Sequence, residues 1–228
     1  MKTSLSPASR RSRSAKTSIP RLGTRGKPEE SRSAILQAAV SEFAEHGIAG
    51  ARTDAIAREA HVNKALLYYY FKDKDALYEA VLDHVFEGLK ARVLPVLESN
   101  LPPRQKMLEY LGTYFDYIAA NPRFPRVVQG EWVRAGAGAL RMERIAKQYF
   151  RPIFEKLVVV LREGIAAGEF RAVNPIDFLP SIAAVIVFYF TSAPLMKTVL
   201  KEDPLSTKRI RERRAFVLDF ISAALFVK

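Results

Sequence analysis

The sequence predicts an all-α protein, with a three-helix head that carries a helix-turn-helix and a larger all-helical domain behind it. Three observations lead there. Apolar residues recur every three or four positions along most of the chain, the spacing of a helix face. Most Gly and Pro residues fall between those runs, where helices stop and start. The stretch from 52 to 75 reads as two short helices around a tight turn.

The head is expected over 29–75. Its first helix should run from about Glu30 to Glu45, because Ile35, Ala39 and Phe43 repeat every four residues with Leu36, Val40 and Ala44 beside them. His46-Gly47 should stop it, since Gly47 accepts the left-handed cap conformation. Thr53 and Asp54 open the second helix as acceptors for its unpaired N–H groups. Ile56, Ala57 and Ala60 share one face of it. The pattern breaks at His61-Val62-Asn63, and Asn63 caps a third helix beginning at Lys64. In that helix Leu67 and Phe71 lie four apart and face the core with Val62.

The opposite face is unusual. Lys64, Ala65, Leu66, Tyr68, Tyr69 and Tyr70 point wholly or partly outward, and three consecutive tyrosines cannot all be buried on one side. With Lys72 and Lys74 beside them they suit a polyanion: Lys and Tyr hydroxyls for phosphates, apolar edges for thymine methyls. The plainer reading is a surface helix with snorkelling tyrosines.

Charge supports an anionic partner. The net charge is +12, and residues 1–28 hold +8 of it without a single acid. That segment is rich in Ser, Arg, Pro and Gly and reads as a disordered basic arm, either tracking DNA or merely solubilising. A transit peptide would also be basic and rich in Ser, but no clear apolar face supports one. The head itself carries six Lys/Arg against eight Asp/Glu over 29–75. Any affinity for DNA there must come from arrangement on one face.

Residues 76–228 form the second domain. Leu77, Val81, Val85 and Leu89 continue a fourth helix beyond what a small head needs, making it the link between two cores. Pro95, Pro102 and Pro103 mark the first linker. A fifth helix over about 104–120 turns Leu108, Leu111, Phe115 and Ile118 inward, and a short helix near 126–134 carries the single Trp, Trp132. A long helix, or two abutting at Pro152, runs to Ala167, where Gly168 closes it. Residues 178–196 are nineteen without a charge. That length just spans a bilayer, but Pro180 and Pro194 interrupt it, and a buried helix at a subunit interface explains it better. A final helix near 207–227 starts basic and ends apolar.

Thr53, Ile56-Ala57, Ala60, Val62, Leu67-Tyr68, Phe71, Lys74 and Leu77 resemble the signature of TetR-type (tetracycline repressor) transcriptional regulators. The motif covers roughly 31–90, and the remainder matches in length and helical character. His61 departs from it, since the family usually has Gly there; His tolerates positive φ better than most residues. The resemblance implies a cytoplasmic bacterial homodimer on double-stranded DNA with an inverted-repeat operator, released by a small effector. It implies Lys64, Ala65, Leu66 and Tyr69 at base edges, with Thr53, Tyr68, Tyr70 and Lys74 on phosphates. It also places Tyr114, Tyr117, Trp132, Arg134 and Tyr149 on the pocket-forming helices, which points to an apolar or aromatic effector, with Arg134 available to an anionic group. Core or dimer contacts are the plainer reading of those aromatics.

Catalysis has little to stand on. The three histidines are not spaced as metal ligands. No Gly-rich phosphate loop or nucleophile elbow is present. No cofactor and no enzyme activity are expected. The absence of Cys removes disulfides and thiolate metal sites. The alternatives are a non-specific nucleic-acid binder led by the arm, and a small-molecule binder that has lost its DNA role.

Overall fold

A four-residue apolar repeat forces each helix to bury one stripe, and the chain satisfies these stripes by packing helix on helix. A computed structural model describes residues 28–133 and 139–227. The basic arm and Arg134 lie outside them. Eleven α-helices are described: α1 Pro28–Gly50, α2 Thr53–Glu59, α3 Lys64–Tyr70, α4 Lys74–Leu97, α5 Pro103–Ala120, α6 Phe124–Val133, α7 Ala139–Ile145, α8 Arg151–Ala166, α9 Pro175–Thr191, α10 Ala193–Leu200 and α11 Thr207–Leu225. Extended pairing among the described residues is one isolated antiparallel bridge, Phe170 with Phe226.

Two apolar clusters make the core. The first joins Ile35, Phe43, Ile56, Leu67, Leu77 and Leu82 to Val127 and Val128 of α6. The second joins Val93 and Leu97 of α4 to α5, α8, α9 and α11. α4 therefore runs from one core into the other, as its long stripe implies. Its cap is Asp73, whose side chain accepts the Ala76 N–H at 2.7 Å.

The structure moves several boundaries. α1 extends to Gly50, but its regular part breaks at Gly47, which has φ 61°. Pro95 lies inside the last turn of α4, so the linker is 98–102. Pro lacks only its own N–H and is tolerated where a helix is about to end. The long helix is interrupted by a π-helical turn at Ala146–Phe150, whose register closes with Arg151 N–H on the Ala146 carbonyl. Pro152 follows at once; it cannot donate and crowds the preceding turn, and a wider turn relieves both.

The uncharged stretch becomes α9 and α10, bent by 61° at their junction. No single helix among the described residues is long and apolar enough to cross a membrane. Ile182, Ile186 and Phe190 face the core, while Ile176 and Phe188 on α9 lie open. α11 is pinned by Val217, Ile221 and Leu225 inside and by Arg214, which forks onto Asp116 of α5 at 2.8 and 2.9 Å.

Candidate nucleic-acid interface and internal cavity

The turn between α2 and α3 is closed by His61 N–H on the Arg58 carbonyl and Val62 N–H on the Ala57 carbonyl, at 3.1 and 2.9 Å. His61 takes φ 55°, the left-handed conformation that a Gly would enter without strain. Asn63 then caps α3, its side-chain oxygen accepting the Leu66 N–H at 2.7 Å. Leu67 and Phe71 are buried and fix which way the helix faces.

What remains outward is the predicted surface. Tyr69 is 80% exposed and Tyr68 40%. Lys64 and Ala65 are exposed, and Leu66 and Tyr70 half-buried. Tyr70 leans back on the head core, with its ring edge-on to Tyr69 at 5.3 Å. Tyr68 has a second contact: its hydroxyl shares a hydrogen bond with Thr53 Oγ1 at 3.1 Å. Thr53 is buried, so this bond ties the middle of α3 to the start of α2.

Lys64 Nζ lies 3.0 Å from Asp54 and 6.0 Å from the Tyr68 ring centre. Hydrogen bonds from Lys64 and then from Arg52 hold the Asp54 carboxyl below its usual range, and the Asp54 bond raises Lys64. Both partners are exposed, so the pair is a weak restraint that a phosphate can displace. Arg52 is a residue that sequence reasoning missed. Its guanidinium is 3.1 Å from Asp54 and its own N–H bonds to Glu42 Oε1 at 2.9 Å. A basic residue just before Thr53 was the available signal. Lys74 stands apart from the α3 face: its Nζ donates to the Ala51 and Ala49 carbonyls at 3.3 and 3.4 Å, fastening the loop between α1 and α2.

Behind the head lies a cavity of about 570 Å³. Its walls are Leu89 and Val93 of α4, Tyr110 and Tyr114 of α5, Pro125 and Gln129 of α6, Phe150, Phe154 and Leu157, and Leu179 and Phe188 of α9. No charged side chain lines it among the described residues. Gln129 and Thr191 also border a second crevice, which reaches His46 and Gly47 at the end of α1.

Of the predicted pocket residues, Tyr114 lines this cavity. Tyr117 does not: its hydroxyl donates to the Val85 carbonyl at 2.7 Å, and burial pushes it up to about 12. Tyr149 donates to Asp83 Oδ1 and accepts from Gln148 Nε2, both at 2.9 Å, and burial pushes it to about 12. Trp132 belongs to the last turn of α6, and its side chain, like Arg134, lies outside the described residues. Tyr110, missed in the sequence, lines the cavity one turn from Tyr114.

Tyr117 is held by a small neighbour. A Cβ on Gly88 would run into its hydroxyl. Gly88→Ala should lower stability by about 1–2 kcal/mol, the overlap outweighing the roughly 1 kcal/mol that Ala gains in a helix. The urea midpoint checks this; an unchanged midpoint would mean that Tyr117 moves aside freely.

Residues 35–81 match the family described as bacterial regulatory proteins, tetR family. Residues 103–221, more than half of the chain, match a tetracyclin repressor-like C-terminal domain. The chain belongs to the TetR family. It is a transcriptional regulator, as are the TetR-family proteins it resembles. One is the HTH-type transcriptional repressor SCO4008 of Streptomyces coelicolor, 31% identical over 76% of this chain and 84% of that protein. Another is the repressor NicS of Pseudomonas putida, 27% identical over 85% of this chain and 90% of that one. The crystal structure of HlyIIR, a hemolysin II transcriptional regulator, superposes with a TM-score of 0.65 at 29% identity, covering 88% of this chain and 99% of that one.

Proposed function

We propose that this TetR-family regulator is a cytoplasmic homodimeric repressor that binds an inverted-repeat operator and is released by a small apolar or aromatic effector. The outward face of α3 carries the reading. In this reading Lys64, Ala65, Leu66 and Tyr69 meet base edges, while Tyr68, Thr53 and Arg52 meet phosphates. Tyr70 and Lys74 flank that face and support it from the head core and the α1–α2 loop.

Two features support the rest. Phe188 of α9 and Phe216 and Phe220 of α11 lie open on one chain, an apolar surface of the kind that a second copy covers. The cavity touches Leu89 and Val93 of α4, so a bound effector presses on the helix that carries the head. Two heads must sit about 34–36 Å apart to meet successive major grooves. A tilt of α4 in each protomer changes that spacing, and couplings of this kind are typically about 1–3 kcal/mol.

The second reading is a non-specific binder led by the arm, favoured by the acid-free +8 of residues 1–28. Selection from a random DNA pool at about 150 mM salt, where phosphate contacts are weakened, separates them. An enriched inverted repeat is the expected result. Recovery of DNA without any motif, with affinity lost on deleting the arm, would replace the repressor reading by the second.

A further inference from the structure

The chemistry of the cavity narrows the effector, and this inference rests on the ligand-released reading above. We propose that the cavity takes an uncharged, largely apolar molecule with a hydrogen-bond acceptor, a ketone or ester carbonyl, held by the hydroxyls of Tyr110 and Tyr114.

Both tyrosines lie on α5, four residues apart, so they share one face of the helix. Their ring centres are 6.0 Å apart. Both are more than nine-tenths buried, and neither hydroxyl has a hydrogen-bond partner among the described residues. Among the described residues the buried polar side-chain atoms without a partner are both on arginines, so these two tyrosine oxygens are not sealed in but open onto the cavity. Tyr117, on the same helix, meets the same need with the Val85 carbonyl. Tyr110 and Tyr114 instead border open volume, where a guest can engage both hydroxyls.

The sense of the bond follows from the surroundings. Burial raises both hydroxyls far above their ordinary value, so they remain protonated and donate. A guest that supplies an acceptor can take a hydrogen bond from each of them. A carboxylate is a strong acceptor but a poor guest, since among the described residues no cation lines the wall and an unpaired buried anion is expensive. A cation meets no acid there. The other walls, Leu89, Phe154, Leu157 and Phe188 among them, reward apolar surface.

The test compares methyl decanoate, decanoate and undecane by calorimetry on the full-length protein and on the Tyr110→Phe/Tyr114→Phe variant. Phe keeps the ring and removes only hydroxyls that bond nothing, so the fold is retained; a thermal melt checks this. The wild-type protein should bind the ester about tenfold more tightly than undecane, and the variant should bind the two equally. Decanoate should bind the wild type more weakly than the ester. Equal ester affinity in wild type and variant, tighter binding of decanoate, or no binding of any probe would overturn the assignment. Operator affinity is measured in parallel. Tyrosine-dependent ester binding that leaves operator affinity unchanged would keep this assignment and defeat the release reading instead.

Discussion

Replacing Lys64 and Tyr68 together by Ala should weaken operator binding by about a thousandfold and leave the helical content unchanged. The estimate takes two lost contacts in each of two heads at roughly 1 kcal/mol apiece, the low end for groove contacts. Neither side chain supports the core: Lys64 is exposed, Tyr68 is 40% exposed, and Leu67 and Phe71 hold α3 in place. Fluorescence anisotropy on the selected operator, with far-UV circular dichroism as the fold control, reads the result. Tyr68→Phe divides the effect further. It keeps the ring on the outer face and removes the hydroxyl, which bonds Thr53 Oγ1 and is the group proposed to meet a phosphate. If that single change weakened the operator complex as much as the double Ala variant, the hydroxyl of Tyr68, rather than its ring or Lys64, would carry the effect. Unchanged affinity in the double variant would remove the assignment of α3 altogether.

The reach of sequence reasoning differs between these two sites for a physical reason. Residues that shape the local chain were legible. Gly47 reads as a stop, and it takes φ 61°. His61 stands where the turn needs positive φ, and Asn63 caps the next helix. These depend on the backbone of a few neighbouring residues. The direction of α3 was legible too, because Leu67 and Phe71 can turn inward together only one way. Pairings across space were not. Asp54 reads as a helix opener, yet its carboxylate holds Lys64 and Arg52, and no spacing rule announces that triad.

The cavity tells the same story more sharply. Tyr114 and Tyr117 are three apart on one helix and have the same chemistry. One borders the cavity; the other fills the gap left by Gly88 on α4. Only the facing helix decides between them. Tyr110 could have been found, because it lies four residues before Tyr114 and must share its face. The break at 146–150 had a local cause in Pro152, but the sequence allowed either one helix or two there, and the π-turn is a third solution.

Placing Asp at both Phe216 and Phe220 should convert the proposed dimer to a monomer and, through that, cost most of the operator affinity. The two rings stack on α11 at 5.8 Å with 15° between planes, and each is about half exposed on a single chain. Arg213 lies 5.0 Å from the Phe216 ring and extends the patch. On the neighbouring α9, Phe188 is 69% exposed. An apolar surface of this kind suits the centre of an interface between copies. Around a two-fold axis each substitution appears twice, so the pair brings four carboxylates into the interface; Arg213 stands beside those at 216, and the two at 220 carry most of the penalty. Several kilocalories per ion is the expected penalty, enough to raise the dissociation constant by about ten-thousandfold or more. The monomer itself should stay folded, because Val217, Ile221 and Leu225 keep α11 on the core while Phe216 and Phe220 face away. Sedimentation velocity tests the assembly. A separated head then binds one half-site at a time and forfeits the roughly 10²–10⁴ gain of a linked second contact. A dimer that survives both aspartates would move the interface off this face of α11. A monomer that still bound the full operator tightly would instead mean that each head reads DNA alone, and that spacing between heads is not what an effector controls.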